Sequence, residues 1–190
     1  GQPNMYFLLM AMAVKMLRTN GEFVFITPRS WTSGTYFKSF RSYFMDSMDI
    51  QRVHLFESRN SVFKGKEGHS DDILQETMIT YGKKSKSQSR NIIIAISQNA
   101  QDLGKVKEIQ VESGNCLPEG KEHYFVLPSD EEDLKVLNYM KKMPNTVEEA
   151  GFRFKTGQVV EFRNKEYIAW EKKESTIPLL HSCNVLEGRI

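Results

Sequence analysis

Only two cysteines, Cys116 and Cys183, occur in the 190 residues, each alone and without the paired spacing of a zinc site. Two cysteines make no disulfide framework, so both are expected as reduced thiols in a cytoplasm. The histidines, His54, His69, His123 and His181, are as scattered, and no metal-ligand pattern joins them. Long hydrophobic runs are also missing. The longest, residues 5–14, is about half of the roughly 20 residues a membrane-spanning helix needs, and no basic signal-peptide stretch precedes it. It reads as a buried helix, and no membrane partner is expected. Net charge is small, at +2, but unevenly spread. Lys and Arg against Asp and Glu give 13 − 8 = +5 for residues 1–90 and 13 − 16 = −3 for residues 91–190. That excess permits nucleic-acid binding without requiring it, because only local placement creates an attractive field.

What is present suits a globular chain, since 39% hydrophobic residues can fill one domain or parts of two. Asn4 is placed to cap a helix over residues 5–17, and Gly21 to end it in a left-handed turn. "EFVFITP" follows as a strand. Its near-continuous apolar run suits burial on both faces, as in a parallel sheet, and Pro28 stops it. In "TYFKSFRSYFMDSM" the residues Tyr36, Phe37, Phe40, Tyr43 and Phe44 recur at helical spacing and read as core packing. "IQRVHLF" and "ILQETMITY" are two more strands, joined by the loop "SVFKGKEG". That loop is too plain for a parallel crossover, so its flanking strands should pair antiparallel. The order helix, strand, helix, strand, loop, strand is that of the second half of an open, mostly parallel α/β sheet.

Beyond Tyr81 the texture changes. "GKKSKSQSR" carries four basic residues, three serines and no acid, and reads as a solvated loop or linker, with phosphate contact as the alternative. It marks the first candidate boundary, dividing the chain into residues 1–84 and 85–190. After it come short strand candidates, "NIIIAI", "VKEIQV", "HYFVL", "GQVVEFRN", "EYIAWE" and "TIPLLH". Among them lies one clear helix opening at "PSDEEDLKVLNYMKKM", with Ser129 as its cap and acids in its first turn.

The segment "PNMYFLLMAMAVKMLRTNGEFVFITPRSWTSGTYFKSFRSYF", followed by "IQRVHLFES", "SVFKG" and "ILQETMITYG", resembles the C-terminal half of a catalytic domain. The family is the DNA adenine-N6 methyltransferases of restriction–modification systems, of the Eco57I/TaqI-like gamma class. "FKTGQVVEFRNKEYIAWEKKESTIPLLHSCNVLEGRI" is similar to the start of that family's target-recognition region. The resemblance covers most of the chain. It implies an α/β fold: the second half of a Rossmann-like class I methyltransferase sheet in residues 1–84, then a linker and a smaller mixed α+β unit in 85–190. It also implies a cytoplasmic enzyme that transfers a methyl group from S-adenosylmethionine to an adenine amine in double-stranded DNA. A restriction endonuclease, fused or associated, is an open companion.

Two of the family's motifs are absent from these residues: the glycine-rich turn that binds S-adenosylmethionine, and the Asn-Pro-Pro-Tyr type of tetrapeptide that holds the target amine. "GQPN" is no substitute, since its single proline precedes the asparagine. The chain is therefore expected to be an excised piece of a longer enzyme, inactive alone. An adenine inside a duplex must be flipped out to meet a methyl donor, and an aromatic side chain commonly stacks on it. The resemblance puts Phe63 in that position, with Lys64 and Lys66 near phosphates; the alternative is a Phe63 tucked under its own loop. "TPRSWTSG" begins where a strand ends, so Arg29, Ser30 and Trp31 are expected to border the active site, with core packing the alternative for Trp31. In the second half Lys155, Thr156, Gly157 and Arg163 are candidate contacts to the DNA backbone. A DNA-binding specificity module without catalysis, built on the same scaffold, is the competing reading.

Overall fold

The computed structural model describes residues 4–58, 76–102, 104, 106–153 and 160–180. It opens with helix α1 (Met5–Met16), which leads through Asn20 and Gly21 into strand β1 (Glu22–Pro28). Asn20, at φ 62°, takes the left-handed turn expected of Gly21. Gly21 is needed for a different reason: a Cβ there would sit 2.8 Å from both the Arg18 carbonyl oxygen and the Leu17 side chain. The last carbonyls of α1 are capped from far along the chain. Lys84 Nζ donates to Val14 O at 2.8 Å and Leu17 O at 2.6 Å.

Two short 3-10 turns (Arg29–Thr32 and Thr35–Phe37) connect β1 to helix α2 (Lys38–Ser47), followed by strands β2 (Met48–Phe56), β3 (Thr77–Lys84), β4 (Asn91–Ser97) and β5 (Lys107–Glu112). They form a five-stranded sheet in the order β1-β3-β2-β4-β5. β2 and β3 pair antiparallel, as expected. The expectation of a mostly parallel sheet is corrected: only β2 and β4 run parallel, while β1/β3, β2/β3 and β4/β5 are antiparallel. β3 returns between β1 and β2 and so reverses both of their pairings. The fold is mixed α/β. β1 lies at the sheet edge, and its apolar run is not buried on both faces: Phe23 and Thr27 face the core, whereas Val24 and Ile26 are exposed.

The core lies on one face of the sheet, where Trp31, Phe37, Phe40 and Phe44 pack with Met10, Val14 and the inward residues of the strands. The aromatic stripe of α2 divides accordingly. Phe37, Phe40 and Phe44 are inside, while Tyr36 and Tyr43 are exposed one position away from each buried neighbour. α1 is less buried than its composition suggests, for only Met10 and Val14 are fully covered and Met5, Leu9, Met12 and Met16 are exposed. Gly82 of β3 lies against β2 beside its bulge, where a Cβ would overlap the Asp49 carbonyl.

The "KKSKSQSR" segment is no free linker. Ser85 N donates to Ser47 O at 3.1 Å, Gln88 Nε2 reaches Met48 O at 2.9 Å, and Ser89 N and Oγ bond the buried Asp49 carboxylate at 2.6 and 2.7 Å. β4 and β5 then extend the same sheet, so residues 84 and 85 lie within one compact unit. The chain divides instead at 143/144, into units of residues 1–143 and 144–190. The first closes with the short helix α3 (Ser113–Cys116), an extended segment over residues 122–127, and helix α4 (Glu131–Met140). The cap of α4 is Asp130, whose carboxylate accepts from Asp133 N at 2.9 Å, with Ser129 N donating in turn to the Asp133 side chain. In the second unit the described residues form turns and two 3-10 turns, Glu161–Arg163 and Lys165–Tyr167, where strands were expected. "TIPLLH" likewise has no regular structure over its described residues.

Candidate functional site

Beyond the carboxyl end of β1 the first unit holds an open cleft of about 820 Å³, lined by Pro28, Arg29, Ser30, Thr32, Ser33, Glu76 and residues 124–127. One wall is the 3-10 turn that Pro28 starts. The other is the "HYFVL" stretch, which forms no strand but is fastened by Phe125 N to Thr32 O at 2.9 Å and Val126 N to Cys116 O at 2.7 Å.

Arg41 joins the walls from behind. Its side chain is fully buried, and its guanidinium donates to Trp31 O at 2.9 Å, Gly34 O at 2.6 Å, Glu122 O at 2.9 Å and His123 O at 3.0 Å. The Tyr124 ring lies 5.3 Å from the guanidinium carbon. Beside it Lys38 donates to Glu122 at 2.6 Å, and that bond holds the Glu122 carboxyl below its usual range. Arg41 was not singled out from the sequence. A lone arginine among the aromatics of a core helix was the available signal, because burial of such a group demands several acceptors.

The structure separates the three residues expected to border the site. Arg29 and Ser30 line the cleft; Trp31 does not. It is wholly buried, with Nε1 donating to Thr27 Oγ1 at 3.1 Å and its ring against Phe40, Phe44 and Phe125. The 3-10 turn carries it inward with Thr32, while Arg29 and Ser30 face out. Ser30 Oγ meets Tyr6 Oη at 3.1 Å. Arg29 donates through its backbone to Glu76 O at 2.7 Å, while its side chain lies 3.7 Å from the Glu76 carboxylate and 3.4 Å from Leu127 O. Phe63, Lys64, Lys66, Lys155, Thr156 and Gly157 lie outside the described residues. Arg163 is exposed on the first 3-10 turn of the second unit.

At the carboxyl ends of β2 and β4, His54 Nε2 meets Ser97 Oγ at 2.8 Å, and Ser97 Oγ donates to Asn99 O at 3.1 Å. Burial, with the Arg52 charge adding to it, keeps this imidazole below its ordinary pKa. With the serine proton committed to a carbonyl, the pair is no nucleophile. Cys116 is buried, and burial pushes its thiol up to about 12. Among the described residues no group of acids, histidines and cysteines forms a metal site. No described helix is long and apolar enough to cross a membrane.

Among the described residues, Gly21, Gly34 and Gly82 are each packed against backbone oxygen rather than forming an open turn that could fit a methyl donor. Ser30, Ser33 and the Arg29 guanidinium give the cleft side-chain hydrogen-bond donors.

The class to which this chain is related emerges from its first third: residues 1–63 match the family described as Eco57I restriction-modification methylase. Particular relatives extend that likeness over nearly the whole chain. It is 30% identical over 178 residues to the Type II methyltransferase M.PstI of Providencia stuartii, covering 93% of this chain and 34% of that protein. To M.BsuBI of Bacillus subtilis, also a Type II methyltransferase, it is 31% identical over 182 residues, covering 94% of this chain and again 34% of the relative. The chain thus spans about a third of the length of these relatives. The resemblance to restriction–modification methyltransferases holds. Among solved structures, the M protein of the type I restriction enzyme EcoKI aligns at a TM-score of 0.46 and 6% identity, covering 86% of this chain and 47% of that one, a likeness too loose to bear on function.

Proposed function

We propose that the chain is part of a site-specific DNA methyltransferase, which moves a methyl group from S-adenosylmethionine to the exocyclic amine of an adenine flipped out of the duplex. The observation that carries this reading is the 30–31% identity to two Type II methyltransferases over 93–94% of the chain. In it, residues 1–84 supply the target-base side of the catalytic domain, residues 85–143 continue the same sheet as one compact unit, and residues 144–190 begin the target-recognition region. Phe63 stacks on the extruded base and recovers about 1–3 kcal/mol of lost stacking. Lys64 and Lys66 face nearby phosphates, Arg29 and Ser30 border the channel for the strand, and Lys155, Thr156 and Arg163 hold DNA backbone. The donor is held by residues outside this sequence.

The test is single-turnover methylation in a protein carrying the complete catalytic domain. Phe63→Ala should slow transfer while donor affinity and thermal midpoint hold, and Phe63→Trp should keep most activity. A destabilised but fully active alanine variant sinks the stacking role. The chain alone should show no micromolar binding of S-adenosylmethionine by calorimetry.

The competing reading is a DNA-binding specificity module without catalysis, built on the same scaffold. An Asn-Pro-Pro-aromatic tetrapeptide encoded upstream in the same reading frame decides for the enzyme, and a frame without it decides for the module.

A further inference from the structure

The two arginines at the cleft are held in opposite ways. Arg41 is buried and spends its donors on four carbonyls. Arg29 is partly exposed, at 36% of its side chain, beside a Glu76 side chain exposed to 41%. Its only side-chain hydrogen bond among the described residues is the 3.4 Å contact to Leu127 O, near the limit for such a bond. Its 3.7 Å approach to Glu76 is far looser than the 2.6 Å pair of Lys38 with Glu122 on the same unit. Exposed pairs of that separation contribute little, and a guanidinium with most of its fork unused is poised for an oxyanion that can take two donors. Ser30 and Ser33 line the same wall and add hydroxyl donors.

We propose that Arg29 contacts a phosphodiester of the DNA strand lying in the cleft, and that Glu76 is the resting partner it leaves on binding. The inference rests on the DNA reading above and assigns one contact within it. Glu76 occupies the guanidinium when DNA is absent, which lowers affinity for every sequence alike and keeps the cleft nearly neutral. Because Arg29 N also bonds Glu76 O at 2.7 Å, the two residues stay adjacent while their side chains part.

The experiment is fluorescence anisotropy of a labelled duplex of about 20 base pairs with the full chain, over a series of salt concentrations. The variants are Arg29→Gln, Glu76→Gln, the double variant and Lys38→Gln, each checked for fold by thermal midpoint. Arg29→Gln should weaken binding about five- to tenfold and reduce the salt slope by about 0.9, the loss of one phosphate contact. Glu76→Gln should tighten it about two- to threefold, and that gain should shrink in the Arg29→Gln background, since part of it acts through Arg29. Lys38→Gln removes the same charge outside the cleft and should leave the slope unchanged. A slope that Arg29→Gln does not move, or a Glu76→Gln gain that is undiminished without Arg29, overturns the inference while the DNA reading stands. Absence of salt-dependent DNA binding by the unaltered chain overturns both.

Discussion

Arg41→Met gives the sharpest test of how the cleft is held together. Methionine fills most of the volume but offers no donor, so the carbonyls of Trp31, Gly34, Glu122 and His123 lose their guanidinium. Hydrogen bonds to a charged donor are worth about 1.5–3 kcal/mol each, and an unpaired buried carbonyl costs about 1–3 kcal/mol. The segment at residues 122–124 can swing outward and find water, which caps the loss. The net cost is set at about 4 kcal/mol, the size seen when one side of a buried charge network is removed. At about 2–4 °C per kcal/mol for a unit of this size, the midpoint should fall by about 8–16 °C. Arg41→Lys keeps the charge and at most two of the bonds and should lose about half as much. The assay is thermal unfolding paired with amide hydrogen exchange at Phe125 and Val126, whose bonds to Thr32 and Cys116 close the wall. A midpoint within 2 °C of the parent, or unchanged exchange at both amides, refutes the reasoning.

Three other outcomes follow from the packing. Gly82→Ala should cost about 2–3 kcal/mol or more, because its Cβ would overlap the Asp49 carbonyl of the neighbouring strand, whereas Gly114→Ala, with open space around it, should stay within about 0.5 kcal/mol in urea unfolding. The lowered pKa of His54 means that the folded state favours the neutral ring. Stability should therefore be constant above the ordinary value of 6.5 and fall as the pH drops below it, when the unfolded chain takes up the proton first. His54→Asn should flatten that limb of the curve, and an unchanged slope counts against the assignment. Cys116, at a pKa of about 12, should resist an aromatic disulfide reagent at pH 8 until denaturant is added, and rapid labelling of the native thiol at this position would contradict its burial.

Local chemistry made much of this fold legible. Helix periodicity marks α2 through Phe37, Phe40 and Phe44, and the acids of residues 131–133 mark the start of α4. The antiparallel pairing of β2 and β3 was readable from a connecting sequence with no helical pattern. What sequence pattern cannot carry is where a strand ends up. The run Phe23 to Ile26 has the composition of a central strand yet lies at an edge, because β3, encoded some fifty residues later, inserts on its one paired side. The serines and lysines after Tyr81 look solvated until Asp49 is seen to bind Ser89, a partner 40 residues away. The same non-locality hid the site. Arg29 and Ser30 were readable as cleft residues from the strand end beside them, but the wall opposite, and the arginine behind it, are set by contacts 81–98 residues apart.

The order in which a ribosome releases this chain gives the Lys84 cap another meaning. α1 is synthesised first, but the amine that completes its C-terminal turn arrives 70 residues later, and the Arg41 bonds that close the cleft await another 38 or so. Closure of the cleft should thus follow formation of the sheet on nascent chains. Pulse proteolysis of chains stalled near residue 115 should find β1 to β5 protected and the loop at residues 29–34 cut, a pattern that full-length chains lose. The wall of the cleft therefore stays unfastened until the first unit is nearly complete.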